Sequence, residues 1–480
     1  VDWQEYTRPT PFQDISGGHF MPEITALVHR LNEKTEGSPL FDLLTEAFAD
    51  SIDFWMEPTG KAGDTELYLC CFRTLCSSQK LDYILGTDLD GGVSARLHRF
   101  TGNEVLEGDF SFCEKALCCG AAVLLTRSSG NGIVLEISEN KYRSIDSPVT
   151  ENVIHGPMNA FNESLDINTA LIRQQIRSPK LKLWEMVIGT ASLTRVAVFY
   201  HSDKVDAVML EQLKEKLSNV RTESIQDSGQ LLRLLLSKKH MKLFPMAIST
   251  ERPDRASISL LSGKAIIMID GSPFALSVPS VYTDFWHSPE DGYLNTYVSY
   301  FLLTLRFLAM FMNLFLPALY VALTSVNVDV NRLEISLAAS ASREGVPYPV
   351  LVETLLMLII IDFITEAGVR LPKTISSTVT MVGGVVLGQA IIQANIVSNL
   401  LVIIAAASAI TNFIVIDYQM GLVQRVLKYF IVICAAVAGL MGIVFGFACL
   451  IFYLSCLESF GAPYLTSLLK KKDMQEAYET

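Results

Sequence analysis

"YFLLTLRFLAMFMNLFLPALYVAL", residues 300–323, is a long apolar run interrupted by one charge, Arg306. It has the length needed to cross the hydrocarbon core of a bilayer, which takes about 20 apolar residues. The run divides the chain. Up to about Asp291, charged, polar and apolar residues alternate as in soluble domains; beyond it lie further apolar runs, among them "YFIVICAAVAGLMGIVFGFACLIFYL" (429–454). The 480 residues therefore read as several domains: a soluble part joined to an all-α membrane domain.

Hydropathy predicts four spans, at about 299–324, 375–394, 397–416 and 430–454. A fifth apolar segment, 350–368, carries Glu353, Asp362 and Glu366, and acidic groups at bilayer depth cost a few kcal/mol each. Asp362 and Glu366 are one helical turn apart and share a face, so this segment is expected to be an amphipathic helix at the interface or facing water. Arg252, Arg255 and Lys264 precede the first span and Lys470, Lys471 and Lys472 follow the last. Positive residues favour the cytoplasmic side, so both ends are placed inside and the number of spans is expected to be even.

Between the first span and the amphipathic segment lies "SREGVPYPVLVE" (342–353), too compact in charge, glycine and proline for an ordinary connector. Arg343 and Glu344 are expected to pair with each other or with a neighbouring subunit. Gly345, Pro347 and Pro349 would then set the angle at which the helix starts, since proline is tolerated in a first helical turn. The motif is either a gating elbow or a structural outer loop. In the second span, Gly384 and Gly388 have small-xxx-small spacing and Gln389 and Gln393 lie one turn apart. That face is either a tight helix-packing seam or a pore lining. Arg306 is expected to reach the cytoplasmic interface by snorkelling.

The soluble part contains an internal duplication. "FCEKALCCGAAVLLTRSSGNGIVLEIS" (112–138) and "RASISLLSGKAIIMIDGSPFALSVPS" (255–280) each predict a helix, a glycine (Gly120 or Gly263), a buried strand, a turn and a second strand. Each is preceded by a strand and a helix, at 66–85 and 194–217. Two related α/β subdomains are expected, at 1–150 and 191–290, joined by a linker and helix at 151–190. The membrane domain follows at 291–460 and a cytosolic tail at 461–480. In the linker helix, Arg173 and Arg177 form a stripe that is either solvated or ion-paired, or else contacts a subunit or an anionic ligand.

The chain opens "VDWQEYTRPTPFQD", with no basic stretch followed by an apolar one, so no secretory signal is expected and the N-terminal half is placed in the cytosol. The 9 cysteines include no CxxC pair and are expected to be buried small hydrophobes, with no metal or redox role. A net charge of −12 argues against a nucleic-acid partner. P-loop, GxGxxG and HExxH motifs are missing from the sequence, so neither cofactor nor catalytic residue is expected, and the soluble part reads as a binding or assembly module.

Eight stretches resemble the A subunits of spore germination receptors, the GerA family of endospore-forming bacteria. They are "HGPMNAFNESLDINTALIRQQIRSPKLKL", "STERPDRASISLLSGKAIIMIDGSPFAL", "DFWHSPEDGYLN", "LPALYVAL", "AASASREGVPYPVLVETLLM", "EAGVRLPKTI", "VGGVVLGQA" and "FGAPYL". The resemblance implies a subunit of a germinant-sensing complex in the inner membrane of the spore. It would work with a permease-like B subunit and a lipoprotein C subunit. It also implies homo-oligomers, as pentamers, that form a nutrient-gated cation channel embedded in membrane lipid. The alternative is a membrane scaffold that couples the permease-like partner to later steps. A secondary transporter is disfavoured because the spans show no inverted repeat.

Overall fold

The structure is a computed structural model. It describes residues 39–62, 65–85, 105–127, 131–138, 148, 151, 156–236, 242–327, 342–372, 384–386 and 388–465. The chain divides into two compact units. One comprises residues up to 238 together with 249–278 and 479–480, and the other comprises 239–248 and 279–478.

The first unit is built from two five-stranded sheets with the same connectivity. The first half runs α1 (Leu40–Phe48), β1 (Phe54–Ala62), β2 (Thr65–Phe72), α2 (Ser78–Leu85), β3 (Val105–Gly108), α3 (Phe110–Cys118), β4 (Ala122–Thr126) and β5 (Gly132–Leu135). The second runs α4 (Leu165–Gln175), β6 (Leu181–Ile188), β7 (Thr194–His201), α5 (Ala207–Ser218), α6 (Ser228–Leu235), β8 (Ile248–Thr250), α7 (Pro253–Leu261), β9 (Ala265–Ile269) and β10 (Ala275–Val278). Their spatial orders, β1-β2-β4-β5-β3 and β6-β7-β9-β10-β8, are the same permutation of sequence order. The buried runs "AVLLT" and "AIIMI" occupy the same central position in the two sheets. Gly120 and Gly263 follow the helix before each run at φ of 92° and 88°. That left-handed conformation ends a helix and suits glycine.

Helices cover the sheets through apolar faces. Leu40, Leu44 and Phe48 of α1 join Cys113 and Leu117 of α3 over Cys70, Val123 and Val134. Leu165 and Ile172 of α4 join Ala256 and Leu260 of α7 over Leu183, Phe199 and Ile266. Cys70, Cys71, Cys76, Cys113 and Cys118 are buried thiols. Burial pushes the Cys113 and Cys118 thiols up to about 12, which keeps them protonated and unreactive.

A buried ion pair joins the halves. Arg173 of α4 is 3% exposed, stacks on Phe72 with 4.1 Å to the ring centre and forks onto Asp53, with Nη2 donating to Oδ1 at 2.6 Å. Lys182 Nζ donates to the Ala47 carbonyl at 2.6 Å and the Ile52 N–H to the Leu183 carbonyl at 3.1 Å. The arginine stripe therefore separates: Arg173 is an internal clasp, while the Arg177 guanidinium lies 4.0 Å from the Cys119 sulfur.

The second unit is helical: α8 (Thr296–Val321, prolonged by a π turn to Val326), α9 (Val350–Arg370), α10 (Gly384–Gln393), α11 (Asn399–Asn412) and α12 (Tyr418–Ser455). Among the described residues, two helical stretches are long and apolar enough to cross a membrane, Thr296–Val326 and Tyr418–Ser455. The first overlaps the expected 299–324 span. The segments entering and leaving this unit are tied together. The Tyr282 N–H donates to the Tyr464 carbonyl (2.9 Å), the Ser280 N–H to Ser459 Oγ (3.2 Å), and Tyr464 Oη to the Pro245 carbonyl (2.9 Å). Arg306, expected to reach the interface, forks onto Asp291 at 2.6 and 2.9 Å.

The last helical stretch departs from the sequence expectation. Gly439 has φ 63° and ψ −137°, outside the helical region. A Cβ on Gly442 would lie 1.9 Å from the Cys434 carbonyl oxygen, and one on Gly446 would lie 2.9 Å from Cδ1 of Ile431. In a straight helix residues 434 and 442 are about 12 Å apart along the axis, and 431 and 446 about 22 Å. The chain must therefore reverse at Gly439. Instead of one continuous span over 430–454, α12 is a helical hairpin with arms 418–438 and 440–455. The expected 397–416 span is also shorter in the structure. At ~1.5 Å per residue α11 rises about 21 Å, less than a bilayer core. The expected 375–394 span falls partly outside the described residues, which include only its end, α10.

Candidate coupling site of the helical unit

The stretch 342–349 forms a tight elbow. Gly345 has φ 95°, a value that suits glycine. Pro349 is the residue before α9 with φ −58° and ψ 148°, so the prolines set the chain's approach to the helix. Arg343 does not pair with Glu344, which is exposed. Arg343 Nε donates to Glu353 Oε2 at 3.2 Å and Nη2 to the Tyr348 carbonyl at 3.1 Å, closing the elbow onto the first turn of α9.

Glu353 has a side chain that is 0% exposed. A carboxylate so placed in an apolar helix needs its charge and lone pairs satisfied. Its second oxygen, Oε1, accepts from the Ser398 N–H at 2.7 Å, a short charge-assisted bond. Ser398 is the N-cap of α11: its hydroxyl accepts from the Leu401 N–H at 3.3 Å and lies 2.9 Å from the Tyr320 hydroxyl of α8. The carboxylate thus sits at a helix N-terminus, where the peptide dipoles favour negative charge. Ser342 Oγ accepts from the Leu400 N–H at 3.3 Å. A Cβ on Gly345 would lie 3.9 Å from Asn395 Nδ2, in the turn that follows α10. The elbow is therefore bonded to the start of α9 and the start of α11.

The remaining predicted residues distribute as follows. On α10, a Cβ on Gly384 or Gly388 would meet nothing within 4 Å, and Gln389 and Gln393 are exposed. The chain's own described helices do not pack against those glycines. Asp362 and Glu366, one turn apart on α9, take separate partners: Asp362 accepts from the Tyr429 hydroxyl of α12, while Glu366 pairs with Arg370 at 2.8 Å. Among the described residues no group of three or more His, Cys, Asp or Glu side chains could hold a metal ion.

A second polar contact was not anticipated. Fully buried Asn313 of α8 is in hydrogen-bond contact with the amides of Asn412 (2.9 Å) and Gln424 (3.1 Å) and the hydroxyl of Ser408 (3.0 Å). It joins α8, α11 and α12. The available sequence signal is a lone amide in an otherwise apolar span, which needs a partner on another helix.

The family model for Bacillus/Clostridium GerA spore germination proteins matches residues 44–478. Spore germination protein A1 of Bacillus subtilis (strain 168) is 39% identical over 333 residues, 69% of this chain and 69% of that protein. Spore germination protein GerLA of Bacillus cereus is 35% identical over 365 residues, 76% of this chain and 74% of that protein. The crystal structure of the N-terminal domain of the A subunit of the Bacillus megaterium spore germinant receptor GerK3 aligns with a TM-score of 0.37 at 20% identity, covering 50% of this chain and 94% of that domain.

Proposed function

Because the chain belongs to the GerA family of spore germination proteins, we propose that it is the A subunit of a nutrient-responsive germination receptor whose copies assemble around a germinant-gated cation path. Its partners in this reading are a permease-like B subunit, a lipoprotein C subunit and further copies of itself. It resides in the spore inner membrane with both ends cytosolic, and the bonds between the segments entering and leaving the helical unit support an even number of crossings.

The observation that carries the channel reading is α10. Among the described residues a Cβ on Gly384 or Gly388 would meet nothing within 4 Å, and Gln389 and Gln393 are exposed, a small and polar face that suits a contact outside this chain. The test is potassium and sodium flux from liposomes holding the chain alone and with its B and C partners, comparing the native protein with Gln389→Leu and Gly384→Leu. Nutrient-dependent flux that changes in the variants while assembly persists is the expected result. An assembled, nutrient-binding complex that passes no cation would leave the scaffold reading in its place.

A further inference from the structure

We propose that Glu353 is a positioning residue that makes the elbow and α11 move as one body. One carboxylate serves two elements that are distant in sequence: Oε2 holds Arg343 of the elbow at 3.2 Å, and Oε1 holds the Ser398 N–H at 2.7 Å. Neither bond is replaceable by the other. Arg343 also closes onto the Tyr348 carbonyl, so its position defines the elbow's shape. Ser398 is the cap on which α11 starts, and its N–H points at the carboxylate.

The remaining elbow contacts are weaker couplings. The Leu400 N–H to Ser342 Oγ is a neutral bond at 3.3 Å, and no bond from Gly345 to Asn395 adds to it among the described residues. By contrast α11 is held to α8 independently, through Tyr320–Ser398 and through Asn313 with Ser408 and Asn412. Loss of the Glu353 carboxylate should free the elbow while leaving α11 seated on α8. A glutamine there presents one acceptor to two donors and turns an N–H₂ toward the other, so it cannot serve both.

This inference deepens the proposed receptor function, since a displacement reaching the elbow would then be passed to α11. It is tested on the assembled receptor by pulsed electron spin resonance distances between labels at Glu344→Cys and Asn399→Cys, both exposed positions. The partly or fully exposed Cys119, Cys434, Cys449 and Cys456 are first replaced by serine. A control pair, Leu319→Cys with Ile403→Cys, reports α8 against α11 at exposed sites.

Glu353→Gln should broaden the elbow–α11 distribution and shift it outward, with the control pair unchanged. Arg343→Lys keeps the charge and should give a smaller shift in the same direction, and it serves if Glu353→Gln does not assemble. Unchanged elbow–α11 distances, or equal broadening of the control pair, would overturn the proposal, the latter by reporting general loosening. Cation flux from the same preparations separates the two readings. If distances behave as expected and no preparation, native included, passes cations, the coupling stands and the channel does not.

Discussion

Alanine at Gly442 distinguishes a hairpin from a straight helix by the sign of its effect. In a continuous helix of 38 residues, Gly→Ala stabilises by about 1 kcal/mol, because alanine loses less backbone entropy. At the reversal the opposite holds: the new Cβ would stand 1.9 Å from the Cys434 carbonyl oxygen, a backbone atom that cannot rotate away. The arms must separate by more than 1 Å to restore ordinary contact, and overpacking of this kind typically destabilises by about 1–3 kcal/mol. Gly439→Ala should also destabilise, since its φ of 63° with ψ −137° costs a side-chain-bearing residue about 1–3 kcal/mol and its Cβ would meet Asn327 Oδ1 at 1.9 Å. Gly446→Ala should be mildest of the three, because its 2.9 Å neighbour is the end of the Ile431 side chain. The assay is thermal unfolding of the detergent-purified protein, with all three variants measured side by side. Raised melting temperatures for Gly439→Ala and Gly442→Ala would refute the reversal.

In the first unit, Arg173→Met should destabilise by about 3–5 kcal/mol by leaving the Asp53 carboxylate buried and unpaired, and Asp53→Asn added to it should recover part of the loss; urea unfolding checks both. His201 is buried, and desolvation with nearby Lys204 holds its pKa below the ordinary histidine value. The unfolded chain therefore binds the proton more readily, so stability is full above about pH 6.5 and falls as pH drops through that value. His201→Asn should flatten this part of the pH–stability profile measured by denaturant titration. Asn313→Leu should lower the melting temperature of the detergent-solubilised chain, because the amides of Asn412 and Gln424 lose a buried partner worth about 1–3 kcal/mol.

Local signals were legible in the sequence, while signals that depend on a distant partner were not. Gly120 and Gly263 announce their helix ends because the requirement for positive φ lies in the residue itself. The repeated order of strands and helices followed from the same punctuation. The sequence pairs Arg343 with its neighbour Glu344 or with a second subunit, whereas its partner within the chain is Glu353, a buried carboxylate that the apolar run displays without naming what neutralises it. Asp53 and Arg173 are 120 residues apart, and nothing in either neighbourhood marks the pair. The hairpin was hidden for a different reason. A hydropathy window averages composition along the chain and carries no information on direction, so two antiparallel arms score as one long span. The glycines at 439, 442 and 446 were the available sign, since they fall where arms must pass closely.

The Arg306–Asp291 pair predicts where the first span begins. Their forked pair satisfies both charges and would be costly to carry to mid-bilayer, whereas at the boundary it is tolerated. From Phe307 to Val326 no charged residue occurs, and at ~1.5 Å per residue that stretch rises about 30 Å, the thickness of a hydrocarbon core. Thr296–Leu305 is then expected outside the core, with Tyr297, 86% exposed, and Phe301, 66% exposed, at headgroup level as aromatic residues commonly are. Spin labels at Tyr297→Cys and Phe301→Cys should collide with a water-soluble relaxation agent more than labels at Met312→Cys and Leu319→Cys, which should collide more with oxygen dissolved in the lipid. If the first pair is as lipid-shielded as the second, the span is centred on Arg306, and the ion pair is carried within the bilayer.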